Sequence, residues 1–320
     1  MKKLTSIAVA VAALSAGTAM AQSSVTVYGR LNTSVERQKD IGVTGTKYTV
    51  SNNASRIGFK GTEDLGGGLK AGFQIEHGFE SDTGAASGGA AGFWGRQSEV
   101  NLGGGFGMVR LGNFTSEAYF ATSDVTDLIN HGTGNASDAL YAYLGRNGNK
   151  IAYRTPDISG LTAEIAASLS ETSQQGKNYD LAVNYAAGPL GLGFGYEKTN
   201  PASQFAFRAN YEAGPLLVTG YFQRYKLDNV GSQTILRLSG QYTIGAGELH
   251  LALGSAGKLG GIANTGAKQV TVGYNYNLSK RTKVYGFYTA VNNDSSAGYG
   301  GASALGKDPS SFAVGVRHNF

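Results

Sequence analysis

The sequence predicts an all-β chain, a sixteen-stranded antiparallel β-barrel that crosses a membrane with its strands. Three observations predict it. Apolar residues recur at period two along most of the chain. The connections are short and Gly- or Pro-rich at one end, and long and polar at the other. Aromatic residues sit near the ends of the alternating segments, on their apolar faces.

Composition excludes several other classes. The 320 residues are 41% hydrophobic and 15% charged, with 49 Gly, 18 Tyr, 14 Phe, 5 Pro and no Cys. A disordered chain carries more charge and fewer aromatics. Without cysteine there is neither a disulfide framework nor a thiolate metal site. A helical membrane protein needs apolar runs of about 20 residues. Beyond residue 21, Gly, Asn, Thr or a charge interrupts every apolar stretch.

Residues 1–21 read as a secretory signal, and 22–320 as the barrel. Lys2 and Lys3 form the positive region, residues 7–16 the short apolar region, and Ala19-Met20-Ala21 the cleavage site. Removing 21 of 320 residues leaves 299, and losing two lysines lowers the net charge from +5 to +3. So mild a charge carries no nucleic-acid reading.

The strands are expected to start near Val25, Tyr48, Leu69, Gly95, Met108, Lys150, Leu161, Lys177, Leu190, Gln204, Leu216, Thr234, Glu248, Lys268, Lys283 and Ser311. Alternation is clean at 161–169, 236–244 and 270–278, where helical spacing does not fit. Short turns are expected at 62–68, 103–107, 156–160, 187–189, 213–215, 245–247 and 279–282. Long loops are expected, among other places, at 81–92, 113–145, 257–267 and 293–309. Sixteen strands leave about 19 residues for each strand and connection, enough for the roughly 9–11 residues of a membrane strand. Polar residues on the opposite face suit a wet lumen rather than one face of a soluble sandwich. The last segment alternates to its end at Phe320 and pairs with the first to close the barrel.

Specific stretches support this reading. They include Ser24-Val25-Thr26-Val27-Tyr28-Gly29, Ser55-Arg56-Ile57-Gly58-Phe59-Lys60-Gly61-Thr62-Glu63-Asp64-Leu65-Gly66 and Val314-Gly315-Val316-Arg317-His318-Asn319-Phe320. In these the chain resembles the trimeric general porins of Gram-negative outer membranes, the β-proteobacterial type in particular. The resemblance runs along the whole mature chain. It implies a homotrimer in the outer membrane, reached by export through the periplasm. It implies passive diffusion of small hydrophilic solutes and ions, and an infolded constriction loop. It implies contact with outer-membrane lipid and lipopolysaccharide, and with the barrel-assembly machinery, for which Phe320 would be the signal. No cofactor, metal or nucleic acid is expected.

The infolding segment would be the third long loop, 113–145, which is too long for an ordinary hairpin. Its acidic residues Glu117, Asp124 and Asp127 are the expected acidic side of the constriction, with Asp138 and His131 also on the loop. The expected basic side is Arg56, Lys60, Arg96, Arg110, Arg146, Lys150 and Arg154. Parity turns Arg56 and Lys60 inward together, and likewise Arg146, Lys150 and Arg154. By resemblance Arg56, Arg96 and Arg146 match the constriction arginines of relatives, while Asn113 stands where relatives commonly carry Arg. Arg96 shares parity with Val100 and Leu102, so it reaches the lumen only above the membrane band or through a bulge. Basic groups facing acidic ones across a wet constriction create a transverse field, and the lining count leans basic, which predicts weak anion preference. The lumen-parity carboxylates Glu76, Glu80, Glu99 and Glu164 oppose that bias.

Catalysis is not expected. The four histidines, His77, His131, His250 and His318, stand on separate segments, and there is no Gly-x-Ser-x-Gly elbow. The Gly-rich runs at 102–107 and 191–195 lack the following helix of a phosphate loop. The alternative is a substrate-specific channel for sugars or organic anions, with Tyr119, Phe120, Tyr141 and Tyr143 as an aromatic track.

Overall fold

Alternation along each strand determines what faces in and what faces out. In the computed structural model, which describes residues 24–87, 92–129, 134–144, 147–170 and 178–320, the order of polarity is inverted relative to a soluble protein. On the last strand Val314 and Val316 are 55% and 51% exposed, while Ala313 and Arg317 are buried. Elsewhere Asn32, Glu36, Glu164, Gln204 and Gln223 are fully buried, and Leu238, Leu251 and Val272 are exposed. A continuous exposed apolar face of this kind is stable only against lipid.

Seventeen strand segments form one closed antiparallel sheet. They are β1 (Ser24–Lys39), β2 (Thr46–Asn52), β3 (Arg56–Gly66), β4 (Leu69–Gly78), β5 (Gln97–Gly104), β6 (Gly107–Phe114), β7 (Asn147–Arg154), β8 (Leu161–Ser168) and β9 (Asn178–Ala187). There follow β10 (Leu190–Lys198), β11 (Ala202–Ala213), β12 (Leu216–Leu227), β13 (Gly231–Ile244), β14 (Gly247–Ala256), β15 (Ala267–Asn277), β16 (Thr282–Asn293) and β17 (Ser310–Asn319). The upper half of β1 pairs with β2 and its lower half with β3. These two segments are therefore one barrel strand, interrupted at 53–55, and the barrel has sixteen. Among the described residues the interruption is the one departure from the expected strand list. Ala54 adopts a positive φ of 59°, which breaks the ladder there.

Closure follows the expected pairing of first and last strands. The β1–β17 register runs from Arg30 opposite Asn319 to Lys39 opposite Ser310. Beyond it Gly29 and Phe320 exchange both backbone hydrogen bonds, at 3.0 and 3.1 Å. At one rim the turns are tight. Gly188, Gly214 and Gly245 take positive φ between paired strands there. The other rim carries the long loops, but not at every hairpin. β10–β11 and β12–β13 are joined there by three residues each, 199–201 and 228–230. The signal segment 1–21 lies outside the described residues.

Candidate functional site

The third loop leaves β6 after Phe114 and turns into the barrel. Ser116 caps a single helical turn, α1 (Glu117–Tyr119), its hydroxyl accepting from the Ala118 N–H at 3.1 Å. A wider turn follows at Phe120–Asp124. This limb lies against β9, β10 and β11. Two glycines of β10 permit the approach. A Cβ at Gly193 would fall 2.0 Å from the Ala121 carbonyl oxygen, and one at Gly195 2.6 Å from that of Ala118. The run at 191–195 is thus the bed of the loop.

The loop is then fastened around the wall. Arg208 donates to the Ala121 carbonyl at 2.7 Å. Arg237, its side chain 1% exposed, lies 3.4 Å from Asp138 and 3.9 Å from Asp127. Asp138 also accepts from the Leu140 N–H and from the Tyr221 hydroxyl. Gln223 and Gln269 pair with loop backbone at Ala142, Ala139 and Ser137. Asn135 donates to Glu36 at 3.1 Å. Ile129 and Ala136 pack with Tyr285 and Phe287 on the far wall. The loop therefore crosses the lumen and narrows it.

Behind the first limb lies a dense ion-pair cluster. Arg110 meets Glu99 at 2.7 Å and Glu164 at 2.9 Å, with its guanidinium 4.1 Å from the Phe114 ring centroid. Lys150, side chain fully buried, meets Asp180 at 2.8 Å. Arg154 bridges Glu164 and the loop's Glu117. Burial raises the Glu117 pKa above the ordinary carboxylate value, an effect Arg154 partly offsets. Burial likewise pushes Tyr119 and Tyr141 well above the ordinary tyrosine range, so both remain neutral.

The wall facing the loop is arranged differently. Arg30 stands opposite Arg56, and Arg317 opposite Lys283, in the β1–β3 and β16–β17 registers. Arg56 and Arg96 share one carboxylate, Glu76, at 3.6 and 2.6 Å. Lys283 meets Glu248 at 3.2 Å. Arg30 lies within electrostatic reach of Arg56, Arg96 and Arg317, and Arg56 within reach of the loop's Asp124. Five cations thus form an arc in which Arg56 and Arg96 share Glu76 and Lys283 pairs with Glu248.

The expected site residues separate accordingly. Arg56 and Arg96 come together in the arc. Arg96 precedes β5 in a bend, so strand parity does not bind it and it turns inward. Lys60 lies four residues nearer the tight-turn rim, its ammonium 5.3 Å from the Tyr28 ring centroid. Arg110, Lys150 and Arg154 belong to the paired cluster behind the loop, and Glu117 joins them. Asp127 joins Arg237, leaving Asp124 as the loop carboxylate within reach of Arg56. Arg146 and His131 lie outside the described residues. Arg30, Arg317 and Lys283 were absent from the expected set. Their lumen parity, opposite to Leu31 and Val316 for the two arginines, was the signal that finds them. Of the aromatic track, Tyr119, Tyr141 and Tyr143 pack edge to face with 5.1 and 5.9 Å between centroids. Phe120 and Tyr143 stay 39% and 42% exposed.

A family model described as Gram-negative porin matches residues 8–296. The outer membrane porin protein 32 of Delftia acidovorans is 32% identical, over 98% of this chain and 99% of its own. The major outer membrane protein P.IB of Neisseria meningitidis is 33% identical, over 55% of this chain and 54% of its own. A solved structure, the anion-selective porin from Comamonas acidovorans, superposes with a TM-score of 0.79 at 28% identity. It covers 93% of this chain and 100% of that one.

Proposed function

This chain belongs to the Gram-negative porin family, and from that premise we propose that the arginine arc gives its pore a weak preference for anions. The barrel is an outer-membrane porin through which small hydrophilic solutes and ions diffuse passively. The observation that carries the proposal is that Arg56 and Arg96 share the single carboxylate of Glu76, within electrostatic reach of Arg30. A relative named as an anion-selective porin supports it. Asp124 supplies the opposing charge from the loop, so the field runs across the opening. A small ion passes on its own side, and a dipolar solute must turn to fit.

The remaining roles follow from the same premise. Three barrels assemble into a homotrimer embedded among outer-membrane lipid and lipopolysaccharide. Residues 1–21 direct export, and Phe320 presents the closing strand to the barrel-assembly machinery. A substrate-specific channel is the second reading, favoured by the exposed rings of Phe120 and Tyr143.

The test is the zero-current potential of the purified protein in a planar bilayer under a KCl gradient. An anion-preferring sign that collapses in the Arg56→Ala, Arg96→Ala double variant supports the arc as selector. A cation-preferring sign overturns it. Saturable block of conductance by a sugar, relieved in Tyr143→Ala, would favour the second reading.

A further inference from the structure

We propose that His77 and Asn113, on the strands that flank β5, are positioning residues that hold Arg96 in the lumen and so set part of the pore's ion preference. The proposal rests on the reading of the arginine arc as selector and adds what keeps one member of it in place. Arg96 stands in a bend just outside the ladder that pairs β4 with β5, which begins at Glu76 and Gln97. On a simple extension of β5 it would share the outward side of Val100 and Leu102.

The bend is fastened on both flanks. Its backbone turns at 92–95, where the Gly95 N–H donates to the Gly92 carbonyl at 3.1 Å. The Phe93 ring lies flat on the His77 imidazole, with 3.8 Å between centroids and 6° between planes. Trp94 closes the stack edge-on, 4.9 Å from the Phe93 ring and 6.2 Å from that of Phe59. His77 has the outward parity of β4, yet it is buried. Its Nδ1 is hydrogen-bonded to the Phe93 carbonyl. A carbonyl only accepts, so Nδ1 carries the proton and donates it. From the other flank the Asn113 side-chain amide donates to the Gly95 carbonyl at 3.1 Å. Two side chains from two strands thus take the carbonyls of residues 93 and 95, directly before Arg96.

The lumen side of the same bend is shaped to match. Gly78 leaves the space through which the Arg96 stem passes, since a Cβ there would lie 2.9 Å from Arg96 Cδ. The Arg96 Nε then donates to Glu76 at 2.6 Å. Glu76 and His77 are consecutive on β4 and point to opposite faces of the sheet. One takes Arg96 inside and the other takes Phe93 outside, so the segment 93–96 straddles the wall. The Arg96 side chain is 38% exposed. An ion pair that open to water does little to hold a long, flexible side chain in one place. The fixed backbone of the bend is what aims the guanidinium at the arc.

Thiol labelling in planar bilayers tests the proposal, because the chain has no cysteine of its own. Arg96→Cys places a single thiol at the position, and the probe is a cationic methanethiosulfonate added to the open channel. Modification is expected to give a stepwise fall in single-channel conductance. Adding His77→Phe, which keeps a ring for the stack and removes the donor, together with Asn113→Leu is expected to abolish that step. Exchanging His77→Phe for His77→Asn, which returns an N–H donor near the place of Nδ1, is expected to bring most of it back. Reversal potentials under a KCl gradient read the consequence. Arg96→Ala should lower the anion-to-cation permeability ratio roughly twofold, since other charges of the arc remain. The His77→Phe, Asn113→Leu double variant should lower it as far, and adding Arg96→Ala to that variant should lower it no further. An equal conductance step with and without the two fastenings overturns the proposal. So do identical steps from the His77→Phe and His77→Asn forms, or a full further fall in the ratio when Arg96→Ala is added. An Arg96→Ala variant with the parent's reversal potential overturns the arc as selector, and the thiol step then decides by itself whether His77 and Asn113 hold the position.

Discussion

Two walls of one lumen use the same residue types to different ends. Behind the third loop, Arg110, Lys150, Arg154 and Arg237 each have carboxylate partners at short range. Their side chains are 9%, 0%, 34% and 1% exposed. On the facing wall two arginines share Glu76, with side chains 22% and 38% exposed. A buried, matched pair contributes little field to the water beside it. A cation excess bordering water sets the local potential. Lumen-facing arginine therefore does not by itself make a selectivity filter, and the balance of neighbouring carboxylates decides which wall selects.

The largest expected effect breaks the matched wall. Arg237→Met leaves Asp127 and Asp138 without their cation, a type of loss that costs about 3–5 kcal/mol when the partner remains buried. The third loop should come away from β13. The check is thermal unfolding of the detergent-solubilised protein together with current noise in bilayers. Lower melting with noisy, larger conductance is expected, and an unchanged, quiet pore would contradict the fastening.

Next comes the arc. A unit charge acting at 4 Å through water is worth about 1 kcal/mol, roughly a fivefold change in relative ion entry. Arg56→Ala with Arg96→Ala should bring the anion-to-cation permeability ratio near one. Arg110→Met with Glu164→Gln, which removes one charge of each sign behind the loop, should move it far less. Equal shifts from both double variants would erase the distinction between the walls.

A smaller effect concerns acidity. The folded-state pKa of Glu117 is raised by burial, so it takes up its proton above the ordinary carboxylate range as pH falls. The charged form is the strained one, and seating of the loop should therefore tighten as pH falls through that window. Loss of this negative charge beside Arg154 should also nudge the pore toward anions. Reversal potentials measured across mildly acidic pH should show the drift, and Glu117→Gln should remove it. The smallest effect is expected from Asp124→Asn, a slight gain in anion preference at neutral pH, read in the same bilayer assay.

Much of the barrel was legible because period-two alternation is a local property. The starts of β4, β8, β10 and β12 coincide with those read from the sequence. The break at 53–55 was missed although Ser51, Asn52, Asn53 and Ser55 form a run of turn-favouring residues; only the positive φ of Ala54, which its residue type does not favour, comes from its setting. Parity found the inward side of Arg56 and Arg110, and applied to β1 and β17 it finds Arg30 and Arg317 as well. Parity alone would have left Arg96 outside, and it turns inward because it stands just before β5, where parity does not hold. What parity lacks is distance. Nothing local ties Arg237 to Asp127 and Asp138, which stand about 100 residues earlier in the chain. Nor does spacing reveal that Glu164 would neutralise Arg110 across two strands.

The interruption at 53–55 has a mechanical meaning. Its Asn53 side chain donates to the Ser34 and Tyr285 hydroxyls, and a Cβ on the loop's Gly134 would press against its amide oxygen. Two residues on, the Ser55 carbonyl accepts from the Phe79 N–H, where the connection from β4 to β5 begins. One notch in the barrel thus serves as the common footing of the loop that trims the bore and of the start of the connection from β4 to β5. A single support thus lies beneath both segments, one of them beside the aperture.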